Sequence, residues 1–257
     1  MVNSISQINR IKVSSQPIVL LSLLVWVAVI ISQLGSLFYS TSASGQSFQS
    51  VALQSIVYLT VITLPLSMIG IWLGRKIELG APLLTAILQN QKGTLRIFLR
   101  HAKFSILPGL FLGGILLIIR LIATPYLPQE LPSYGFRGVL GGLLVSVGAA
   151  IGEEVWFRLG LLTIILWIIN RITKQTQLKA SVVWTTITVV ALLFGAAHLP
   201  QLNSYGAAST FAIWGTILGN SLVGIFYGWC YWRLSFIASI MAHFSVDVVL
   251  HVFPSLF

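Results

Sequence analysis

The chain has 257 residues, of which 56% are hydrophobic and only 8% charged, with a mean hydropathy of +0.94. That balance excludes a soluble globular domain, so the net charge of +10 reads as membrane topology rather than as a nucleic-acid surface. The single cysteine, Cys230, excludes an internal disulfide and says nothing about compartment.

Taken in chain order, Arg10 and Lys12 precede a first apolar run at 17–39. That run exceeds the core of a signal peptide and no A-x-A-like site follows it, which predicts an uncleaved first span. Further runs at 51–74, 104–125, 138–170, 180–199, 207–232 and 234–253 each reach the roughly 20 residues that carry a helix across a bilayer core. Lipid offers no partner to unpaired backbone groups. The expected fold is therefore all-α, a polytopic transmembrane helix bundle of about seven to eight spans forming a single integral membrane domain over 1–257. No internal repeat and no soluble domain interrupts it.

Between the second and third runs, Lys92, Arg96, Arg100 and Lys103 recur every three or four residues, with Leu95, Phe98, Leu99 and Ala102 on the turns between. This pattern predicts a basic amphipathic helix over 81–103 lying on an anionic leaflet, with His101 as a solvated surface residue. With the N-terminus in the cytoplasm and the spans alternating, twelve of the fifteen Lys and Arg residues fall on that side. They are Arg10, Lys12, Arg75, Lys76, Lys92, Arg96, Arg100, Lys103, Arg171, Lys174, Lys179 and Arg233. Arg120, Arg137 and Arg158 are the exceptions. This positive-inside pattern favours an odd number of spans.

Only five acidic residues are present. Glu78 and Glu130 lie in polar connections, but Glu153, Glu154 and Asp247 fall inside predicted spans, as do Arg158, His198 and His243. A charged side chain at mid-membrane costs on the order of 3 kcal/mol, so such residues normally face the bundle interior and mark a functional site. A set of structural polar clamps between helices is the plainer alternative. Glu154 and Arg158 stand four apart and can pair on one helix face. Glu153 is then turned about 100° away, without a local cation, and suits a general base acting on water. The same spacing relates Phe194 to His198 and His243 to Asp247, which can orient that imidazole. His251 continues this face by a turn but lies near the chain end and is assigned to the interface.

Three motifs in order, EEVWFR (153–158), FGAAHL (194–199) and HFSVD (243–247), resemble the EExxxR, FxxxH and HxxxD/N patterns of the CPBP family, also called the Abi or type II CAAX prenyl protease family. The motif-bearing core is 136–253; the first 130 residues resemble the family only in being hydrophobic. The resemblance implies an intramembrane endopeptidase with Glu153, Glu154, His198 and His243 as catalytic residues. Arg158, Asp247 and Phe194 would give transition-state or structural support. Two departures are present: the third motif often ends in Asn rather than Asp247, and Leu159 precedes Gly160 where glycine often comes first. An ionised Asp247 cannot donate to an oxyanion, which leaves that task to His243.

Two mechanisms stay open at this level. In one, Glu153 and His198 activate water without a metal, while His243 and Asp247 stabilise the oxyanion. In the other, His198, His243 and a glutamate hold Zn2+, which lowers the pKa of its water. The residue types suit zinc, yet there is no HExxH and no ligand pair at a local metal spacing; the metal-free version is favoured. Depth poses a tension, because Glu153 and His243 lie near mid-membrane and His198 near the non-cytoplasmic end of its span. Their convergence requires tilt, a broken helix or a shifted boundary. The expected partners are a membrane-associated peptide or protein substrate and the lipid bilayer of a bacterial cell, with no nucleic acid. A proton- or ion-coupled transporter is one rival, but it would show interrupted helices in both halves, whereas all three motifs lie in the second. A non-catalytic regulatory or immunity partner is the other.

Overall fold

A computed structural model describes residues 17–133, 135–174 and 177–257. Helix α1 spans Ile18–Ser44, α2 Phe48–Gly74, the short α3 Pro82–Leu88, and α4 Thr94–Ala123. Helix α5 (Gly138–Glu153) widens into a π-helical segment, Glu154–Leu162, and continues as α6 (Thr163–Thr173). Then follow α7 (Ala180–Ala196), α8 (Leu199–Ser204), α9 (Thr210–Arg233) and α10 (Phe236–Asp247), the last ending in a π turn, Val248–Val252. Among the described residues, seven helical segments are long and apolar enough to cross a membrane, and the protein is a multi-pass helical bundle. Arg10 and Lys12 lie outside the described residues.

The bundle is inverted relative to a water-soluble core. Large apolar side chains such as Ile31, Leu53, Val61, Phe111 and Ile122 face outward, while Ser22, Thr63, Ser67, Ser105, Ser146, Thr163 and Ser239 are buried. Lipid is as apolar as leucine, so helix association here relies on close packing and on hydrogen bonds between polar groups. Buried hydroxyls meet this demand largely within their own helices: Ser105 donates to the carbonyl of His101 (2.8 Å) and Ser146 to that of Gly142 (2.7 Å). Small residues supply the packing. A Cβ on Gly109 or Gly113 of α4 would meet the backbone of α10 at Ala242 or Val246 (2.9 and 3.1 Å). This GxxxG face lets α10 lie against α4.

Two expectations need correction. No continuous helix covers 81–103. The segment is divided between α3 and α4, with Gly93 in the left-handed region (φ 85°) at the break. Arg96, Arg100 and Lys103 lie on the first turns of α4, because nothing between Thr94 and Ala123 interrupts that helix. His101 is not solvated. It is buried between α4 and the start of α10, with Nδ1 3.1 Å from Ser235 Oγ. The spacing of the basic residues says how the helix is charged, and it does not say which turn is covered by a neighbour.

Candidate active site

Parts of six helices converge on a cavity of about 460 Å3: the C-terminal half of α4 with the connection after it, α5, the end of α7 with α8, α9 as far as Tyr227, and the end of α10. Glu153, Phe194, His198, Tyr227, His243 and Asp247 all line it. Residues of all three motifs therefore meet in one place.

Glu153 and Glu154 sit where α5 gives way to the π segment, and they face different surroundings. Glu154 is fully buried. Its Oε1 pairs with Arg158 Nη1 (3.1 Å) and accepts from His243 Nδ1 (2.9 Å). Arg158 is itself fully enclosed. Its Nη2 donates to the Gly224 carbonyl (3.0 Å), and its guanidinium lies over the rings of Phe194 (4.5 Å) and Tyr227 (5.3 Å). A planar, delocalised cation can meet a carboxylate, a carbonyl and two aromatic faces at once, which a lysine cannot. Gly224 permits this approach, since a Cβ there would stand 3.2 Å from Arg158 Nη2. The π segment is tied down by Thr163, whose hydroxyl donates to the Arg158 carbonyl (3.0 Å) and meets Tyr231 Oη (2.6 Å). Such π-helical turns inside helices recur at functional sites.

Glu153 faces the cavity. Its Oε2 stands 3.9 Å from His198 Nε2 and 3.8 Å from His243 Nε2. That oxygen is buried and lacks a direct hydrogen-bond partner. His198 is oriented from behind, with Nδ1 donating to the Phe194 carbonyl (2.8 Å), so its Nε2 is turned to Glu153. His198 lies at a joint in its span, where α7 ends at Ala196 and α8 starts at Leu199. His243 is fixed on three sides. Glu154 holds Nδ1, Asp247 Oδ2 stands 3.6 Å from Nε2, and the Tyr227 ring stacks on the imidazole with centroids 4.4 Å apart and planes 14° apart. Phe194 packs edge-on to both histidine rings.

The structure thus brings Glu153, Glu154, Arg158, Phe194, His198, His243 and Asp247 together. Of these, Glu154 and Arg158 do not line the cavity but stand behind it. His251 lines the cavity as well, on the π turn that follows Asp247. Tyr227 went unnoticed in the sequence. It lies in FYGWCYWR (226–233), where an uncharged aromatic among aromatics gives no signal of its own.

Zinc accepts histidine and carboxylate ligands at about 2.0–2.2 Å, which puts tetrahedral ligand atoms about 3.3 Å apart. Glu153 is wider than that from both Nε2 atoms. Among the described residues no three His, Cys, Asp or Glu side chains are gathered as one metal's ligand set. As placed, these residues do not fit a zinc ion.

A family model described as type II CAAX prenyl endopeptidase Rce1-like matches residues 135–249, the stretch holding every motif residue of the cavity. No curated protein and no solved structure matches the chain significantly. The family acts on membrane-associated protein substrates. Over the matched stretch, which contains the whole charged site, the chain is similar to the Rce1-like type II CAAX prenyl endopeptidase family, and that similarity supports an intramembrane protease.

Proposed function

We propose that the protein hydrolyses a peptide bond of a membrane-associated substrate with a water activated by Glu153 and His198. One observation carries this reading: the buried Glu153 Oε2 lacks a direct partner and stands 3.8–3.9 Å from two imidazole Nε2 atoms on the cavity wall. Polar groups beyond about 3.5 Å can be bridged by water, and a water held there would touch a base and two imidazoles.

The steps follow from the partners of each group. His198 spends its Nδ1 hydrogen on the Phe194 carbonyl, so Nε2 offers a lone pair that accepts from the water. Glu153 takes a proton from that water as its oxygen attacks the substrate carbonyl carbon. His243 has carboxylates at both nitrogens, Glu154 at Nδ1 and Glu153 with Asp247 at Nε2, and so can donate from both. Its Nε2 hydrogen stabilises the tetrahedral oxyanion, as a fixed donor aimed at developing charge. Asp247 balances the imidazolium and need not donate itself. When the C–N bond breaks, protonated Glu153 gives its proton to the leaving amine, and a carboxylic acid and a free amine result. Glu154 is a positioning residue in this scheme, set by Arg158 and acting through His243.

The test is cleavage of a membrane-linked peptide by purified protein in detergent. Glu153→Gln and His198→Ala are expected to lose at least about 10²-fold in kcat, the lower end for general acid–base catalysis, while unfolding at the wild-type temperature. Undiminished cleavage by either variant would refute the scheme. In the same assay cleavage should survive exhaustive chelation. Loss that added zinc restores would replace this mechanism with a metal-bound one.

A further inference from the structure

Helix α1 turns Leu24, Val27 and Ile31 to lipid and carries one amide side chain, Gln33, and no charged one. An amide within such a span needs an acceptor from a neighbouring helix. Gln33 finds it in α5, where its Nε2 donates to the Gly148 carbonyl (2.8 Å). Gly148 and Gly152 bound the helical turn that leads straight into Glu153.

That turn has little of its own to hold it. Its glycines flank Ala149, Ala150 and Ile151, and glycine is a poor helix former, so neighbours must fix its place. Gln33 can do so because both glycines leave room for α1. A Cβ on Gly148 would stand 3.3 Å from the Ser32 carbonyl oxygen, and one on Gly152 would stand 2.6 Å from Gln33 Nε2. Beyond the two glutamates, Trp156 Nε1 donates to Thr63 Oγ1 of α2 (3.0 Å). Glu153 and Glu154 are thus bracketed by hydrogen bonds to α1 and α2, both of which lie outside the stretch matched by the family model. The bracket bears on chemistry because Glu153 Oε2 has to stand between imidazoles carried on two other spans, 3.9 Å from His198 Nε2 and 3.8 Å from His243 Nε2. A displacement of about 1 Å in such a group costs on the order of 10²-fold in rate.

We propose that Gln33 is a positioning residue for the hydrolytic reaction: its amide fixes the Gly148–Gly152 turn and so sets Glu153 against His198 and His243. The proposal rests on the reading of Glu153 as the base. Gln33 does not line the cavity and acts only through the helix that carries Glu153.

The assay is the same cleavage of a membrane-linked peptide by full-length protein in detergent, with unfolding temperature measured alongside. Gln33→Met keeps the length of the side chain and removes the amide. It should lower kcat about tenfold or more while KM stays within about twofold, because the placement of the base is felt in the transition state and not in substrate binding. Trp26→Phe is the control. It removes another hydrogen bond of α1, from Trp26 Nε1 to Thr60 Oγ1 (3.0 Å), and neither of those residues lines the cavity. It should keep the wild-type kcat even where its unfolding temperature falls as far as that of Gln33→Met. Gly152→Ala reaches the Gln33 bond from the other side, since the added methyl displaces the end of the amide in a protein whose α1 is intact. It should lower kcat as well, and Gln33→Met with Gly152→Ala should lose no more than the weaker single variant, because both remove one bond. A wild-type kcat in Gln33→Met overturns the proposal. Equal kcat losses in Gln33→Met and Trp26→Phe, a loss confined to KM, or additive losses in the pair overturn it too. Inactive Glu153→Gln beside fully active Gln33→Met defeats this proposal alone, whereas full cleavage by Glu153→Gln defeats the base reading and this proposal with it.

Discussion

Arg158 stabilises the fold and the site through the same contacts. Its guanidinium neutralises Glu154, reaches the Gly224 carbonyl and lies over two aromatic rings, all with no exposure to solvent. Removing one partner of a buried ion pair strands the other, which costs about 3–5 kcal/mol. Arg158→Met is therefore expected to lower unfolding stability by about that amount and to free His243, since Glu154 loses the cation that sets it. Arg158→Met combined with Glu154→Gln should recover part of the loss, because no unpaired charge remains buried. Thermal or denaturant unfolding in detergent checks both variants, and a double variant less stable than the single would contradict the account. The Glu154–Arg158 pair was legible from a spacing of four residues and from the cost of charge in lipid. Tyr227 was not, although it covers the His243 ring just as closely. Stacking leaves no mark in a sequence where aromatic side chains serve equally well as lipid-facing anchors.

At the scale of elements, the catalytic geometry depends on how near α10 can come to its neighbours. Gly109 and Gly113 present a bare stripe of α4 to the turns that carry His243 and Asp247. Gly109→Leu would drive a branched side chain into the Ala242 carbonyl, one residue before His243, where overpacking costs about 1–3 kcal/mol. The expected outcome is a lower unfolding temperature together with a fall in kcat, because a displacement of about 1 Å in a positioned group costs on the order of 10²-fold. Gly114, whose Cβ would meet nothing within 4 Å, is the control: Gly114→Leu should match the wild type in both measurements. Equal effects from the two substitutions would show that close packing of α4 on α10 is not what places His243. The spans themselves were readable because each is a long apolar run bounded by polar turns. Their finer divisions were less so. Gly93 and Pro200 mark the break and the joint at His198 locally, but the widening at Glu154–Leu162 is tied to Tyr231, which is distant in the chain. The same is true of His101, whose cover comes from Ser235.

For the molecule as a whole, most of the basic residues and the cavity lie at opposite ends. The cavity is lined from the close of α4, the 127–137 connection, the upper half of α5, the end of α7 with α8, the start of α9 and the close of α10. With spans that alternate in direction, these pieces all belong to one end of the bundle. Arg75, Lys76, Lys92, Arg96, Arg100, Lys103, Arg171, Lys174, Lys179 and Arg233 belong to the other. Lys and Arg close to span ends are retained in the cytoplasm, so the cavity should open on the non-cytoplasmic side, and the scissile bond should be approached from there. Single-cysteine labelling tests this cleanly, because the native Cys230 is fully buried. Gln129→Cys lies exposed in the connection beside the cavity and Gln177→Cys lies exposed between α6 and α7. In intact cells a membrane-impermeant maleimide should modify the first and spare the second until the membrane is permeabilised. The reverse pattern would turn the bundle over and place substrate entry in the cytoplasm. It would also place Arg120 and Arg137 on the side where cations are favoured.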